Sequence, residues 1–223
     1  MSNSPKHLTI LVPQGAEYQA VCRGLNHVTG TKPTVVAIPV GIQPLRQFLQ
    51  QGQNQPAKVL VMGLCGSLQP RHTIGDIVLY EDCVYQGNLQ KCESTFTTQI
   101  KAQLAKNVSL VKSVTSDRLI WSAAEKRHLH KITQADVVDM EGFATIEFCQ
   151  QISVPVAILR VVSDDCHHDI PNLTLAISAN GTLQPLPLTL QMLRQPLAAT
   201  RLIRGSLKGL KVLQQVTNLL FSQ

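Results

Sequence analysis

Aromatic residues make up only 4% of this 223-residue chain, with a single tryptophan. Surfaces that bind nucleic acid interleave rings with basic charge, so this scarcity argues against a nucleic-acid partner. Charged residues are also sparse, at 15% against 44% hydrophobic, which excludes a disordered chain and leaves ample material for a core. No apolar stretch reaches the roughly 18 residues that a spanning helix requires. The N-terminal MSNSPKH is polar, and Leu8–Val12 behind it is too short for the apolar region of a signal peptide. The expectation is a soluble, cytoplasmic protein. Six cysteines (Cys22, Cys65, Cys83, Cys92, Cys149 and Cys166) form no C-x-x-C pair and lie mostly in apolar runs, as reduced buried thiols do. Neither a Walker A loop nor a G-x-G-x-x-G turn after a strand is present, so neither a nucleoside triphosphate nor a dinucleotide is indicated. Acid is missing from residues 170–223, which carry Arg194, Arg201, Arg204, Lys208 and Lys211. These cations supply most of the net charge of +6, so the basicity belongs to the C-terminal segment.

What is present is a series of short β-branched runs alternating with helix-length patterns, the signature of parallel strands joined by crossover helices. The pattern predicts one α/β domain over residues 1–223. Predicted strands are Leu8–Val12, Thr34–Val40, Lys58–Met62, Ile77–Tyr85 (one strand or two), Val108–Val114, Val137–Val138 and Val156–Val162. Predicted helices are Glu17–Val28, one around Pro44–Gln50, one near Ala123–His130, Gly142–Gln151, a short helix after Pro187 and a final helix near Leu197–Phe221. Between Ser163 and Pro187 runs a loop of Asp, His, Pro, Asn and Gly, the expected seat of chemistry.

Two segments set polar residues at strand ends, where open α/β sheets place their ligand crevices. In Val137–Asp165, Asp139 and Glu141 open a helix, and Asp164 with Asp165 follow a strongly apolar strand. In Val59–Asp82, Gly63 and Gly66 follow a strand, where glycine lets a ligand approach the backbone.

On these residues the chain resembles the nucleoside phosphorylase and nucleosidase superfamily, which cleaves N-ribosyl bonds. Met140-Glu141, a helix, a Val-Pro strand and Arg160-x-x-Ser163-Asp164 are similar to one family motif. Gly63 to Pro70, closing in Gly75 to Val78, is similar to a second, in the family's order. Arg160 to Asp165, His168-Asp169-Ile170-Pro171, Asn180-Gly181 and the basic final helix look like the hopanoid-associated phosphorylase branch, which acts on a purine nucleoside linked to a polycyclic lipid. The resemblance implies a central mixed, mostly parallel twisted sheet flanked by helices, a small-molecule purine nucleoside or adenosyl lipid as substrate, no cofactor, inorganic phosphate as co-substrate, and a homo-oligomer.

Breaking C1′–N9 puts positive charge on the ribose and negative charge on the departing purine, so an acid belongs near the base and anionic groups near the sugar. The resemblance gives Asp164 the acid role, which burial beside the like charge of Asp165 would favour by raising its pKa. It gives Glu141 the ribose hydroxyls, with Met140 packed on the sugar and Gly63, Gly66 and Ser163 around the substrate. Asp139 reads better as a carboxylate at a helix N-terminus. Glu17 occupies the place of the nucleosidases' water-activating glutamate, although a shift of two residues would bring Gln19 there instead, and a plain helix N-terminal carboxylate is an equal reading.

Phosphorolysis requires an anion site, and here the chain departs from the family. Val61 and Leu64 stand where phosphorylases often carry Arg and Ser or Thr, and Leu119 where relatives stack an aromatic ring on the base. Gly41, the helix N-terminus near Pro44, Ser67 and Arg46 remain as candidate phosphate contacts. The resemblance to the lipid-associated branch favours phosphorolysis, with a hydrolytic nucleosidase of the methylthioadenosine type and a non-catalytic nucleoside-binding protein as the alternatives. Trp121 and Phe143 read better as core than as base stackers. Cys166-His167-His168-Asp169 is no metal site, because adjacent side chains cannot all converge on one ion, and His128 and His130 read as solvated. In the final helix, Arg201, Arg204, Lys208 and Lys211 share one face while Leu202, Ile203, Leu207, Leu210, Leu213 and Val216 lie on another. The main expectation is packing by the leucines with a solvated basic face; peripheral contact with an anionic membrane is the lesser one.

Overall fold

The computed structural model describes residues 8–26, 28–52, 56–104, 108–176, 178 and 184–222; Asn180-Gly181 lie outside them. Eight strands, β1 (Leu8–Pro13), β2 (Thr34–Ile38), β3 (Lys58–Ser67), β4 (Ile77–Tyr85), β5 (Asn88–Lys91), β6 (Val108–Thr115), β7 (Val137–Asp139) and β8 (Val156–Asp164), form one mixed sheet. β2, β1, β3 and β8 run parallel in that order. β8 then pairs antiparallel with β4, β4 parallel with β6, β6 parallel with β7, and β7 antiparallel with the end of β3. The pairings therefore close a ring, β3-β8-β4-β6-β7, with β1 and β2 extending outward from it. β8 is the spine: all nine of its residues, Val-Ala-Ile-Leu-Arg-Val-Val-Ser-Asp, are buried, as an apolar strand flanked on both sides must be.

Helices α2 (Ile42–Gln51) and α5 (Gly142–Gln151) cover one face through Ile42, Leu45, Phe143 and Ile146. Helices α1 (Ala16–Gly24), α3 (Ser94–Gln103) and α7 (Pro196–Phe221) cover the other through Val21, Ile100, Leu213 and Val216. α4 (Ala123–Thr133) leads into β7, and α6 (Pro185–Arg194) precedes α7.

Several boundaries differ from the sequence reading. β3 continues through Gly63 and Gly66, so both glycines lie inside the strand, with a register shift at Cys65/Gly66. β2 stops at Ile38, and α2 starts at Ile42 rather than Pro44, capped by Gly41 at φ 96°. The hairpin β4–β5 turns on Gln86 and Gly87, both at positive φ (49° and 80°) as a two-residue type I′ turn requires. α3, unannounced by the sequence, is capped by Glu93, whose carboxylate accepts the Thr95 N–H at 3.0 Å. All six cysteines are free thiols.

The core-facing side of α7 also departs from expectation. It is made by Gly205, Gly209, Leu213, Val216, Thr217 and Leu220, while Ile203 and Leu207 stay exposed. A Cβ on Gly205 would collide with the Ser163 carbonyl, and one on Gly209 would lie 2.9 Å from Leu64 Cδ2. The two glycines let the helix backbone press onto the ends of β3 and β8, where larger side chains would hold it away.

Candidate active site

A pocket opens at the carboxyl ends of β1, β3, β7 and β8, the edge at which parallel strands present ligand-binding residues. Its charged walls are Glu17 at the start of α1, Asp139 and Glu141 between β7 and α5, Asp164 at the end of β8, and Arg118, whose guanidinium pairs with Glu125; Met140, Leu64, Leu119 and Ile120 supply apolar surface. Four residues singled out from widely separated stretches of sequence (Glu17, Met140, Glu141 and Asp164) thus share one cavity, together with Gly66 and Ser163.

Arg160, wholly buried in β8, organises the carboxylates at one end of the pocket. Its Nη2 donates to Asp139 Oδ2 at 2.8 Å and to Glu141 Oε2 at 3.1 Å. Burial works against the guanidinium charge, and the two carboxylates outweigh it and raise the Arg160 pKa. Glu141 Oε1 also accepts the Gly41 N–H at 3.1 Å, which ties the head of α2 to the site. Burial pushes the Glu141 carboxyl above its usual range despite Arg160. Asp139 accepts the Gly142 N–H at 3.0 Å and the Thr115 hydroxyl at 2.8 Å, so it caps α5 as the sequence reading favoured and anchors Arg160 besides.

Glu17 Oε1 accepts the Leu64 N–H at 2.6 Å. Burial, opposed by Arg160 and reinforced by the neighbouring charge of Glu141, pushes its carboxyl up to about 7. Gly63 explains how it fits: a Cβ there would lie 2.7 Å from Glu17 Oε1 and collide with Arg160 Nη1. Gly63 therefore makes room for the protein's own side chains, not for a ligand. Gly66 does the same for Asp164, whose Oδ1 would be 2.9 Å from an added Cβ.

At the opposite end Asp164 faces a cation. Lys126, completely buried on α4, places Nζ against Asp164 Oδ1 and donates to the Asp165 carbonyl at 2.9 Å. The Ser163 hydroxyl lies 2.8 Å from Asp164 Oδ2. The like charge expected from Asp165 is absent, because that carboxylate turns away and accepts the His167 and His168 N–H groups at 2.8 and 2.9 Å. Burial opposes ionisation of Asp165, but the His168 ring and these N–H groups prevail and hold it below the usual carboxylate range.

The candidate phosphate contacts are not brought together. Arg46 pairs with Glu147 at 2.8 Å and lies over the Tyr85 ring, away from the cavity. The Ser67 hydroxyl donates to the Gln69 carbonyl at 2.7 Å. Gly41 lines an adjoining groove with Val40, Ile42, Pro44, Leu119 and Met140, its N–H already given to Glu141. Phe143 is buried against Tyr85, 5.4 Å between centroids, and neither it nor Trp121 lines the pocket. Among the described residues no group of three or more His, Cys, Asp or Glu side chains is placed to hold a metal ion.

Residues 12–180 match the model of the phosphorylase superfamily. The chain belongs to that superfamily. As a phosphorylase superfamily member it is an enzyme, and cleavage of a nucleoside N-ribosyl bond is its class of reaction. Solved structures of similar fold include the futalosine hydrolase of Helicobacter pylori, at TM-score 0.72 and 16% identity over 98% of both chains. The 5′-methylthioadenosine/S-adenosylhomocysteine nucleosidase of the same organism, with butyl-thio-DADMe-Immucillin-A, matches at TM-score 0.67 and 16% identity over 94% of this chain and 96% of that one. The corresponding nucleosidase from S. pneumoniae, with the transition-state inhibitor MT-ImmA, gives 0.67 and 14% over 96% and 98%. At such identities the likeness is one of fold. Within this superfamily site, sequence reading missed Lys126. Its one signal was position: three residues after Ala123 and three before Leu129, it falls on the inward stripe of α4, where a charge needs a reason.

Proposed function

We propose that this enzyme hydrolyses the N-ribosyl bond of a purine nucleoside, with Glu17 as base for the attacking water and the Asp164–Lys126 pair as acid for the departing purine. The observation that carries the reading is Glu17: a carboxyl pushed up to about 7 inside the cavity is suited to take a proton near neutral pH. Water attacks C1′, the C1′–N9 pair passes into the purine, Asp164 delivers a proton to N7, and Glu17 accepts the proton that water loses. The pair holds one transferable proton, carried at rest on the Lys126 ammonium, and it is this proton that passes through Asp164 to N7. Glu141 retains lone pairs on both oxygens after its bonds to Gly41 and Arg160, enough to accept the ribose hydroxyls and oppose the sugar's positive charge. Met140 packs on the ribose, and Gly66 and Ser163 shape the base side. Arg46 and Ser67, both engaged elsewhere, favour water over phosphate as nucleophile.

The adjoining groove past Met140, lined by Val40, Ile42, Pro44 and Leu119 and also by Gln43, Asp117 and Arg118, leaves room for a substituent on the ribose, from a methylthio group to the lipid of an adenosyl lipid. We read the protein as cytoplasmic and homo-oligomeric. The test is release of free adenine from adenosine, methylthioadenosine and an adenosyl lipid, with and without phosphate. Release independent of phosphate is expected, with kcat/KM rising through about pH 7 as Glu17 ionises. A strict requirement for phosphate would replace this reading by phosphorolysis, and nucleoside binding without release would leave a binding protein.

A further inference from the structure

Helix α6 has no buried residue, although half of it is leucine and methionine. Leu186 is 84% exposed and Leu193 73%. The apolar surface continues onto α7 at Leu197, Ile203 and Leu207, at 75%, 47% and 63% exposure. This follows from the glycine face described above: because Gly205 and Gly209 seat α7 on the strands, Ile203 and Leu207 on the other side are left uncovered among the described residues. At 3.6 residues per turn, Ile203 and Leu207 flank the stripe of Arg201, Arg204, Lys208 and Lys211, all exposed. No acid occurs anywhere from residue 170 to 223. Beneath the stripe a cavity lined by Arg201, Arg204, Lys208 and Ile74 ends on Asp164 and Asp165.

We infer that the α6–α7 face docks onto an anionic phospholipid surface. An interfacial helix needs apolar side chains to enter the headgroup boundary and cations at their edge to meet phosphate, and this face has both in the required order. Charge decides the occupant. A second copy of this chain would bring five like charges against five, whereas an anionic bilayer complements them. No helix among the described residues is long and apolar enough to cross a membrane, so the contact is peripheral. The inference is independent of which nucleoside the pocket takes.

Co-sedimentation of the full chain with phosphatidylcholine vesicles, with and without phosphatidylglycerol, tests it. Binding is expected only with phosphatidylglycerol and weakens as salt rises. Arg201→Gln with Arg204→Gln lowers the affinity about thirtyfold, at roughly fivefold for each cation. Leu186→Ser with Leu193→Ser, both at largely exposed positions, also abolishes sedimentation while the thermal unfolding midpoint stays within a degree or two, on the order expected for surface positions. Equal binding to neutral vesicles, or none to either, overturns the inference. So does a dimer in vesicle-free solution that Leu186→Ser with Leu193→Ser splits, because the face would then belong to a second copy.

Discussion

Two ends of one pocket handle negative charge in opposite ways. At the end proposed for the sugar, Asp139 and Glu141 share the Arg160 guanidinium with Glu17 close by, and burial leaves Glu17 and Glu141 above their usual range. At the end proposed for the base, one carboxylate, Asp164, has a buried ammonium to itself. The crowded end is short of positive charge and suits a cationic sugar and a proton acceptor. The paired end sets an ammonium against the carboxylate to which the acid role is proposed. An N-ribosyl bond cleaved between them would send its positive charge one way and its negative charge the other, matching the polarity already built into the walls.

The comparison breaks first at the acid. Asp164→Asn is expected to lower kcat by about 10²–10⁴-fold, read as purine release, and to cost about 3–5 kcal/mol of stability because it leaves the buried Lys126 ammonium unpaired; near wild-type turnover would remove Asp164 from the chemistry. Glu17→Gln should cost a similar factor and also change the pH dependence of stability. With its folded pKa raised from 4.5 to about 7, Glu17 binds its proton more tightly in the folded state, so its contribution declines as pH rises from 4.5 through about 7. The Gln variant lacks that decline, and denaturant unfolding at pH 5 and pH 8, values chosen to lie roughly either side of this window, should show the gap between the proteins moving in the variant's favour. Next in size is Lys126→Met, which strands Asp164 as a buried charge and is expected to cost about 3–5 kcal/mol. Combining it with Asp164→Asn should recover part of that loss, since no uncompensated charge remains; a purely additive double variant would mean that the two do not form a unit.

How much of this was legible follows from where each interaction lies in the chain. Asp139, Met140, Glu141, Arg160, Ser163 and Asp164 were readable because one strand-helix-strand unit carries them all to the same sheet edge. The closed ring of strands was not, because it depends on β8 and β7 each choosing a second neighbour, a matter of packing rather than local pattern. Lys126 escaped because its carboxylate lies 38 residues away and nothing in the helix names it. The exposure of Ile203 and Leu207 on α7, where Leu213 and Val216 are buried as expected, has a different cause. Counting leucines finds apolar surface, but a glycine stripe wins the contact when the opposing strand ends demand backbone approach, as Gly205 against the Ser163 carbonyl does. Gly63 and Gly66 were flagged correctly as places of close approach, yet what approaches is Arg160, Glu17 and Asp164.

Arg46 gives the smallest effect and the cleanest control on the two ends. As an arginine beside a helix start it looked suited to phosphate, but the fold turns it toward Glu147, with both side chains about 30% exposed. A half-exposed pair of this kind contributes about 0–1 kcal/mol, so Arg46→Ala should barely move the unfolding midpoint. If water is the nucleophile, purine release should also stay unchanged, with phosphate or without it. A variant that kept its stability but lost a phosphate-dependent fraction of turnover would show that Arg46 leaves Glu147 during the reaction. The sugar end would then have a second cation, and its shortage of positive charge, on which the role of Glu17 as base depends, would disappear.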